Sequence, residues 1–264
     1  MLRKNELFHN DLKKKLKEGK KVIGGWCQVC SPITAEILAK TGPDFISIDM
    51  EHGAGGLETL IGQCQSALYH GVTPIARAPW NDFVMIKRML DAGVYGLIIP
   101  YINSKEEAEA AVKACKYPPE GIRGLAGSTR SAGYGLDGMR YFKPVNDEIL
   151  IFLQVETMTA VNNLDEILSV PGYDGIFIGP NDLSTSMGYL ANPSEPKAQE
   201  VIRAVEKKVL EKGKFMATVA NSAQDAMPLY ERGYNLVIAF SDGATLSNTI
   251  LSNVEYFRKA FPNG

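Results

Sequence analysis

The stretch FISIDMEHGAGGLETLIGQCQSALYHG, residues 45–71, joins two kinds of sequence pattern. Three of its first five residues, Phe45, Ile46 and Ile48, are apolar, as in a buried strand of a parallel sheet. After a polar, glycine-rich turn, apolar residues return at three- and four-residue spacing from Leu57 onward, which predicts an amphipathic helix. A strand followed by a helix is the unit from which parallel sheets are built.

The same unit recurs along the whole chain. The predicted strands are VIGGWCQV (22–29), FISIDME (45–51), TPIARAP (73–79), GLIIPYI (96–102), ILIFLQVET (149–157), GIFIGP (175–180), FMATVA (215–220) and LVIAFSD (236–242). Each is followed by a predicted helix. Eight such units indicate an α/β fold, a closed (β/α)8 TIM barrel. An open doubly wound sheet is the alternative, but no GxGxxG motif follows the first strand.

The composition suits a single domain spanning residues 1–264, because 45% of the residues are hydrophobic and can fill one large core. The formal net charge of −2 gives no basic surface for a nucleic acid or an anionic membrane. No segment approaches the roughly 18 apolar residues of a spanning helix, and the N-terminus lacks a secretory apolar region. We therefore expect a cytoplasmic protein with neither nucleic acid nor membrane as partner.

The first segment predicts a helix that covers the bottom of the barrel. Its apolar residues Leu7, Phe8, Leu12 and Leu16 recur at approximately helical spacing among several lysines. We expect those lysines to form a solvated face rather than a binding site.

The four cysteines suggest no disulfide framework and no redox centre. Cys64 and Cys115 are scattered, whereas Cys27 and Cys30 form a CxxC motif. This motif lies in an apolar, strand-like run, where side chains three residues apart point to opposite faces. We therefore expect buried structural thiols.

Polar side chains collect at the carboxyl ends of the predicted strands, where barrels place their active sites. They are Asp49, Glu51 and His52 after the second strand, Arg77 in the third, Gln154 and Glu156 in the fifth, and Asp182 after the sixth. Gln154 and Glu156 are two residues apart, so both project from the same face of one strand.

Glu156 and Asp182 follow consecutive strands, so a barrel brings their carboxylates to neighbouring positions on the rim. Two carboxylates without a neighbouring His or Cys suit a hard divalent cation that keeps several waters, such as Mg²⁺ or Mn²⁺. The structural alternative is that these carboxylates cap the helices that follow them. Because Arg77 and His52 lie on the same rim, we favour the metal site.

Arg77 interrupts an otherwise apolar strand, where an unpaired guanidinium would be costly to bury. It faces either an anionic ligand or a carboxylate of the protein, such as Asp49 or Glu51. His52 is either a core histidine or an acid–base group. A base, a cation and a metal on one rim are the groups needed to form and stabilise an enolate.

Six segments, in order, resemble the HpcH/HpaI aldolase family of metal-dependent (class II) pyruvate aldolases. They are IDMEHG (48–53), ARAPWND (76–82), LDAGVYGLIIP (90–100), ACKYPPEGIRG (114–124), LQVET (153–157) and IGPNDLSTSMG (178–188). The resemblance runs from about residue 20 to about residue 245 without large gaps. The family includes 4-hydroxy-2-oxoheptanedioate aldolase and 2-dehydro-3-deoxyglucarate aldolase, enzymes of aromatic-acid and sugar-acid catabolism.

The resemblance implies a role for each site residue. Glu156 and Asp182 are the implied ligands of a divalent metal (Mg, Mn or Co), and Arg77 binds the ketone or enolate oxygen of pyruvate. The other implied residues are Gln154, Gly179, Pro180 and Asn181 for substrate binding, Asp49 and Glu51 for support, and His52 paired with Asp91 for acid–base catalysis. It also implies a (β/α)8 barrel whose last helix is often exchanged between subunits, and a homo-oligomer, a hexamer built from dimers.

The implied reaction is the reversible cleavage of a 4-hydroxy-2-oxo acid to pyruvate and an aldehyde through a metal-stabilised pyruvate enolate. The alternatives are a decarboxylase of the oxaloacetate type or an acyl-CoA lyase on the same site, and a non-catalytic barrel that binds a small acid. Three parts of the chain depart from the family pattern and leave the aldehyde partner open. They are Asn181, where the family commonly has a small residue, residues 127–146, and the last strand end IAFSDGATL (238–246).

Asp91 lies at the end of a predicted helix, just before the fourth strand, and so at the opposite face of its own barrel from His52. Either Asp91 orients His52 of a neighbouring subunit, or it caps a turn before Gly93. We favour the first interpretation because the glycine-rich loop after His52 could reach a neighbouring subunit.

Overall fold

The strands close into a barrel, which confirms the predicted architecture. In the computed structural model, which describes residues 6–262, eight parallel strands pair in chain order and the last pairs with the first. They are β1 Val22–Cys27, β2 Phe45–Asp49, β3 Thr73–Arg77, β4 Gly96–Ile99, β5 Leu150–Val155, β6 Gly175–Ile178, β7 Phe215–Val219 and β8 Leu236–Ser241. All strand ends with the predicted polar residues therefore meet at one face.

Helices alternate with the strands. They are α1 Asp11–Lys17, α2 Pro32–Lys40, α3 Leu57–Tyr69, α4 Phe83–Ala92, α5 Lys105–Cys115, α6 Gly138–Phe142, α7 Val145–Glu148, α8 Met158–Asn162, α9 Leu164–Ser169, α10 Pro180–Ser186, α11 Pro196–Glu211, α12 Ala223–Glu231 and α13 Asp242–Ala260. The helix predicted after β5 is divided in two at Asn163, which ends α8 and begins α9. The polar loop predicted after β6 contains the short helix α10.

Two apolar layers hold the barrel together. One fills the space between the strands and the surrounding helices, and the other fills the barrel interior, with Phe45, Phe152 and Phe177 among its largest members. Nearly every strand residue is buried, because parallel strands covered by helices have no solvent face.

Helix α1 packs against the barrel interior from below, as predicted. Leu12 and Leu16 belong to the same cluster as Val22 and Phe45, and each is 1% exposed. Burying a leucine side chain contributes about 1.5–3 kcal/mol, so these two residues anchor the helix. Leu7 lies before the helix and is exposed, contrary to its predicted place on the apolar face.

The expectation that the lysines of α1 are all solvated is wrong for Lys13. Its side chain is 9% exposed, and its ammonium group lies 2.8 Å from Oδ1 of Asp174 and donates to the carbonyl of Ile149 at 2.9 Å. Lys13 lies on the buried side of α1 with Leu12 and Leu16, where its charge is neutralised by Asp174. Lys13 therefore ties the helix to β5 and to the start of β6.

The cysteines follow the prediction except for Cys30. Cys27, Cys64 and Cys115 are buried free thiols. Cys30 lies beyond the end of β1, at positive φ (58°), and is only partly buried. Its thiol accepts a hydrogen bond from the backbone N–H of Gly55 at 3.0 Å, so it contacts the loop after β2.

Helix α13 leaves one long face uncovered. Its first residues pack on β1, β8 and α2, but Leu246, Ile250, Leu251 and Phe257 are each more than half exposed. The predicted exchange of this helix between subunits stays a prediction. So does the assignment of residues 1–264 to a single domain, since residues 1–5 and 263–264 lie outside the described range. No helix within that range is long and apolar enough to cross a membrane.

We expect Lys13→Met to lower the free energy of unfolding by about 2–4 kcal/mol, because it leaves the half-buried Asp174 without its cation. Chemical denaturation monitored by circular dichroism measures this change. Lys17→Met, on the exposed side of the same helix, is the matched control and should change it by less than about 0.5 kcal/mol. Equal effects of the two substitutions would show that the Lys13 contact does not stabilise the fold.

Candidate active site

A cavity of about 580 Å³ opens at the carboxyl ends of the strands. Its lining includes His52, Arg77, Gln154, Gly179, Pro180, Asn181 and Asp182 from the sequence-based set. Asp49 lies beneath it, next to Arg77, and Glu51 and Glu156 contact residues that line it. The structure thus brings together every predicted site residue except Asp91.

Arg77 and Asp49 form a two-point ion pair at the ends of β2 and β3. The strand register places their Cα atoms side by side. Nε and Nη2 of Arg77 donate to the two carboxylate oxygens of Asp49 at 3.1 and 2.7 Å, and the guanidinium stacks on the Trp26 ring at 4.5 Å. Burial raises the pKa of Asp49, but the hydrogen bonds and charge of Arg77, together with hydrogen bonds from Gln28 and His52, outweigh it, so the net pKa is lowered.

Asp49 also organises the turn that carries His52. Its Oδ1 accepts hydrogen bonds from the backbone N–H groups of Glu51 and His52, and its Oδ2 accepts one from the Gln28 side chain. The imidazole of His52 is 66% exposed at the cavity mouth, with Nε2 3.8 Å from Oε2 of Glu51. His52 is therefore a rim residue and not a core histidine.

Glu51 is a largely buried carboxylate with incomplete hydrogen bonding. Its Oε2 lies 3.1 Å from Nε of Arg77, yet this buried oxygen accepts no hydrogen bond from the described residues. Burial raises the pKa of Glu51 to about 7; Arg77 opposes this rise, whereas the negative charge of Glu156 adds to it. Glu51 is thus poised to exchange a proton near neutral pH.

Glu156 lies deeper than any other carboxylate around the cavity except Asp49, and is 1% exposed. Its Oε1 accepts a hydrogen bond from the backbone N–H of Tyr101 at 2.8 Å, and its Oε2 accepts one from the Gln154 side chain. Burial raises the pKa of Glu156, and the charge of Asp182 raises it further. Within residues 6–262 no Lys or Arg forms an ion pair with Glu156 or Asp182.

Asp182 lies in the first turn of α10, close enough to Glu156 for its charge to raise the pKa of that carboxyl group. Gly179 is the N-cap of this helix and no side chain caps it, so the alternative role of Asp182 as a cap is not observed. A larger residue at position 179 would be poorly tolerated, because an added Cβ would lie 3.0 Å from Oε2 of Glu156. The glycine leaves room for the Glu156 side chain at the start of α10.

The site fits a divalent cation, judged from its own donors. Glu156 and Asp182 supply adjacent hard oxygen ligands that lack a protein cation. The Oε1 atom of Gln154 is buried without a hydrogen bond from any described residue. No group of three or more His, Cys, Asp or Glu residues within the described range could hold a metal. The described residues therefore supply two carboxylate ligands at this site. Remaining positions would go to water or substrate.

Asp91 is far from this group. It lies near the end of α4, at the opposite end of the barrel, where its Oδ1 accepts a hydrogen bond from the fully buried Arg123 at 2.8 Å. This ion pair gives Asp91 a local partner within its own chain. Any contact with His52 has to come from another subunit.

Sequence reasoning missed the residues on the far side of the cavity. Trp26, Gln28, Phe177, Asn221 and Asn248 all line it. Trp26, Gln28 and Asn221 occupy or follow strand ends, so they could have been predicted as site residues from that position in the sequence. Asn248 is on α13, and only the folded structure brings that helix to the rim.

These features agree with comparisons to known proteins. A model of the family described as HpcH/HpaI aldolase/citrate lyase matches residues 23–249. The chain belongs to this family. A 5-keto-4-deoxy-D-glucarate aldolase of Escherichia coli is a relative of this HpcH/HpaI chain, 36% identical over 255 residues, which are 97% of this chain and 99% of that protein.

Two solved structures have the same barrel. One is an HpcH/HpaI aldolase/citrate lyase family protein from Burkholderia cenocepacia J2315, with a TM-score of 0.89, 29% identity, and coverage of 94% of this chain and 99% of that one. The other is an HpcH/HpaI aldolase from Desulfitobacterium hafniense DCB-2, with a TM-score of 0.87, 31% identity, and coverage of 96% and 97%. This HpcH/HpaI chain is therefore an enzyme of the aldolase/lyase type, which overturns the alternative of a non-catalytic barrel.

We expect Glu51→Gln to stabilise the protein increasingly as the pH rises from 5 to 8. The folded-state pKa of about 7 exceeds the ordinary value of 4.5, so stability is lost as the pH rises through that interval and the carboxylate ionises. Glutamine cannot ionise and avoids this loss. The measurement is the difference in melting temperature between variant and wild type across pH, with a chelator present.

The control is Glu58→Gln, which removes an exposed carboxylate on α3 and gives the baseline for losing one surface charge. A Glu51→Gln difference that stays flat between pH 5 and 8 would contradict the raised pKa.

Proposed function

We propose that the enzyme is a divalent-metal-dependent (class II) aldolase that reversibly cleaves a 4-hydroxy-2-oxo acid into pyruvate and an aldehyde. The observation that carries this proposal is the carboxylate pair Glu156 and Asp182, neither of which forms an ion pair with a Lys or Arg of residues 6–262. Asp182 lines the same cavity as Arg77, and Glu156 is hydrogen-bonded to Gln154, which also lines it. The name of the E. coli relative, an aldolase that acts on a keto-deoxy sugar acid, supports the reaction type.

Glu156 and Asp182 would hold the metal, which we propose to be Mg²⁺, Mn²⁺ or Co²⁺. When bound, a divalent cation supplies Lewis-acid stabilisation of negative charge on the substrate ketone oxygen. Gln154 orients Glu156 through its side-chain amide, and the backbone N–H of Tyr101 fixes the other oxygen. These contacts preset the carboxylate before any ligand arrives.

Arg77 would bind the ketone oxygen and stabilise the charge that develops on it as the C3–C4 bond breaks. Nε and Nη2 are used by Asp49, which fixes the plane of the guanidinium, while Nη1 forms no hydrogen bond within the described residues. Arg77 is therefore both an ion-pair partner and a donor available to the cavity. The two interpretations considered from the sequence are compatible.

His52 would take the proton from the C4 hydroxyl group and return a proton to C3 of pyruvate. Its exposed imidazole at the cavity mouth can exchange protons with water or substrate. Glu51, with its pKa near 7, lies within reach to accept or supply that proton. Asp91 as an orienting partner of His52 stays a proposal that requires a second subunit, as does the proposed hexamer. The cytoplasmic location also stays a prediction.

A lysine-based (class I) mechanism has no support in the cavity. No lysine of the described chain lines it, and Lys87 lies on α4, where its ammonium group is 5.1 Å from the Phe83 ring. A Schiff base with pyruvate therefore has no candidate amine.

The test is pyruvate release from a panel of 4-hydroxy-2-oxo acids, with oxaloacetate included to detect decarboxylation. We expect chelation to abolish aldol cleavage, and Mg²⁺, Mn²⁺ or Co²⁺ to restore it, because two carboxylates alone cannot stabilise the developing charge. Borohydride added with pyruvate should leave the activity intact. Trapping of a lysine adduct, or full activity in chelator, would overturn the proposal, and decarboxylation without aldol cleavage would replace it.

We expect Gly179→Ala to weaken Mn²⁺ binding roughly tenfold, because the added methyl group displaces the Glu156 carboxylate. Electron paramagnetic resonance of free Mn²⁺ during a titration measures the affinity. Gly127→Ala is the control, since an added Cβ at that exposed position meets nothing within 4 Å. Unchanged Mn²⁺ affinity in Gly179→Ala, with a normal melting temperature, would argue against Glu156 as a metal ligand.

A further inference from the structure

The turn after β4, residues 100–103, carries a backbone N–H group that binds the Glu156 carboxylate. β4 ends two residues before Tyr101, and the N–H of Ile102 donates to the Gln154 carbonyl of β5 at 3.3 Å. Since Ile102 occupies that acceptor, the N–H of Tyr101 is free to donate to Oε1 of Glu156 at 2.8 Å. An irregular turn at the end of a strand thus directs a donor toward the site.

Tyr101 makes this contact in a backbone conformation that tyrosine rarely adopts. Its φ is 54°, in the left-handed region that favours glycine. Such a conformation is unfavourable for a residue with a Cβ and persists only where the surrounding structure holds it. Without that support the backbone would return to a commoner conformation and turn the N–H away from Glu156. The residues that hold Tyr101 therefore also help to place this carboxylate.

Asn103 holds the main chain of this turn. Its Nδ2 donates to the carbonyl oxygen of Tyr101 at 3.1 Å, and its Oδ1 accepts a hydrogen bond from the hydroxyl group of Thr157. Thr157 directly follows Glu156 in the chain. The Asn103 carboxamide therefore links the turn that binds Glu156 to the residue next to Glu156.

The backbone of residue 103 is attached by contacts that do not use its carboxamide. The N–H of Asn103 donates to Oε2 of Glu107 at 2.6 Å, and its carbonyl accepts a hydrogen bond from Nδ2 of Asn163 at 2.7 Å. A substitution at position 103 therefore removes the side-chain link to Tyr101 and Thr157 but keeps these two contacts.

Trp80, in the turn between β3 and α4, holds the ring of Tyr101. The two ring centroids are 5.3 Å apart and the ring planes are inclined by 33°. Trp80 is 54% exposed and Tyr101 is 38% exposed, and the residues that line the cavity include neither. Contacts between aromatic rings at such distances are favourable. The pair therefore supports the turn and does not bind substrate in the cavity.

We propose that Asn103 and Trp80 are positioning residues of the metal site, because they hold Tyr101 in the left-handed conformation that directs its N–H at Glu156. The inference rests on the proposed metal-dependent function and adds two residues that lie outside the cavity. Removing a group that orients a metal ligand commonly weakens metal binding by about tenfold or more. Asn103 and Trp80 act one step further away, through Tyr101, so their effects are smaller.

The first measurement requires no metal. Hydrogen exchange of the Tyr101 N–H is followed by NMR in chelator, in protein labelled with ¹⁵N-tyrosine, and loss of one signal in Tyr101→Phe identifies it. We expect Asn103→Leu to speed this exchange about fivefold and Trp80→Ala about threefold, because the hydrogen bond to Glu156 opens more often. Asn146→Leu is the matched control, since its carboxamide donates to the Tyr117 carbonyl and not to this turn.

The second measurement is the affinity for Mn²⁺ without substrate, from electron paramagnetic resonance of free Mn²⁺ during a titration. Asn103→Leu should weaken binding about fivefold and Trp80→Ala about threefold. Trp80→Phe keeps an aromatic ring against Tyr101 and should restore both the affinity and the exchange rate nearly to the wild-type values. Asn146→Leu should bind Mn²⁺ like the wild type.

The melting temperature of each variant without metal shows whether it is folded. Should Asn103→Leu fail to fold, the comparison of Trp80→Ala with Trp80→Phe decides the question, because the Trp80 side chain is more than half exposed. Faster exchange together with weaker Mn²⁺ binding, both restored by Trp80→Phe, supports the positioning role.

Three other outcomes separate this inference from the proposed function. Mn²⁺ binding by the wild type that none of the substitutions weakens, or a change in one measurement without the other, would overturn the positioning role and leave the metal site standing. An equal loss of affinity in Asn146→Leu or Trp80→Phe would also overturn it, because the effect would then not depend on these contacts. No Mn²⁺ binding by the wild type would overturn the metal-dependent function and this inference with it.

Discussion

The ion pair between Arg77 and Asp49 is the contact on which the rest of the site depends. Strand register sets the two residues side by side, and two hydrogen bonds fix the plane of the guanidinium above Trp26. The same carboxylate accepts backbone hydrogen bonds from the turn that carries His52. A single buried aspartate thereby sets the position of both the cation and the imidazole. Loss of Asp49 would leave Arg77 with the Trp26 ring and a single contact to Glu51, so the two-point orientation of the guanidinium depends on this one pair.

The site carries more negative charge than its own cation can neutralise. Arg77 compensates Asp49, whose pKa is lowered, but the pKa values of Glu51 and Glu156 are both raised by burial. Buried carboxylates with raised pKa values beside a cavity are typical of functional sites. If these carboxylates had no functional role, the excess negative charge would only reduce the stability of the folded protein. A bound divalent cation would balance it, which is why the metal is part of the proposal even though the chain contributes only two adjacent ligands.

Much of this arrangement could be predicted from the sequence because it depends on strands. Eight apolar runs, each with a helix after it, determine the barrel, and the polar residue that ends a strand must face the rim. Arg77, Gln154 and Glu156 were therefore identifiable by position. Residues placed by loops and helices were not. Lys13 was assigned to a solvated face because lysine is usually exposed, although its position on α1 directs it toward Asp174. Cys30 was assigned to a strand that ends three residues earlier, at Cys27. Asn248 lies on a helix whose docking against β1 and β8 no local pattern encodes.

The two halves of the cavity also differ in whether their residues are placed by strands or by loops and helices. Residues proposed for the pyruvate half, such as Arg77 and Gln154, are held by barrel hydrogen bonds, so a change there disturbs the fold as well as the reaction. The other half is formed by Asn221, just after β7, and by Asn248 on α13, whose remaining length is largely exposed. These side chains form no hydrogen bonds with the described residues that a substitution would break. Substitutions in this half can therefore be accepted at little cost in stability, whereas substitutions of the strand residues cannot.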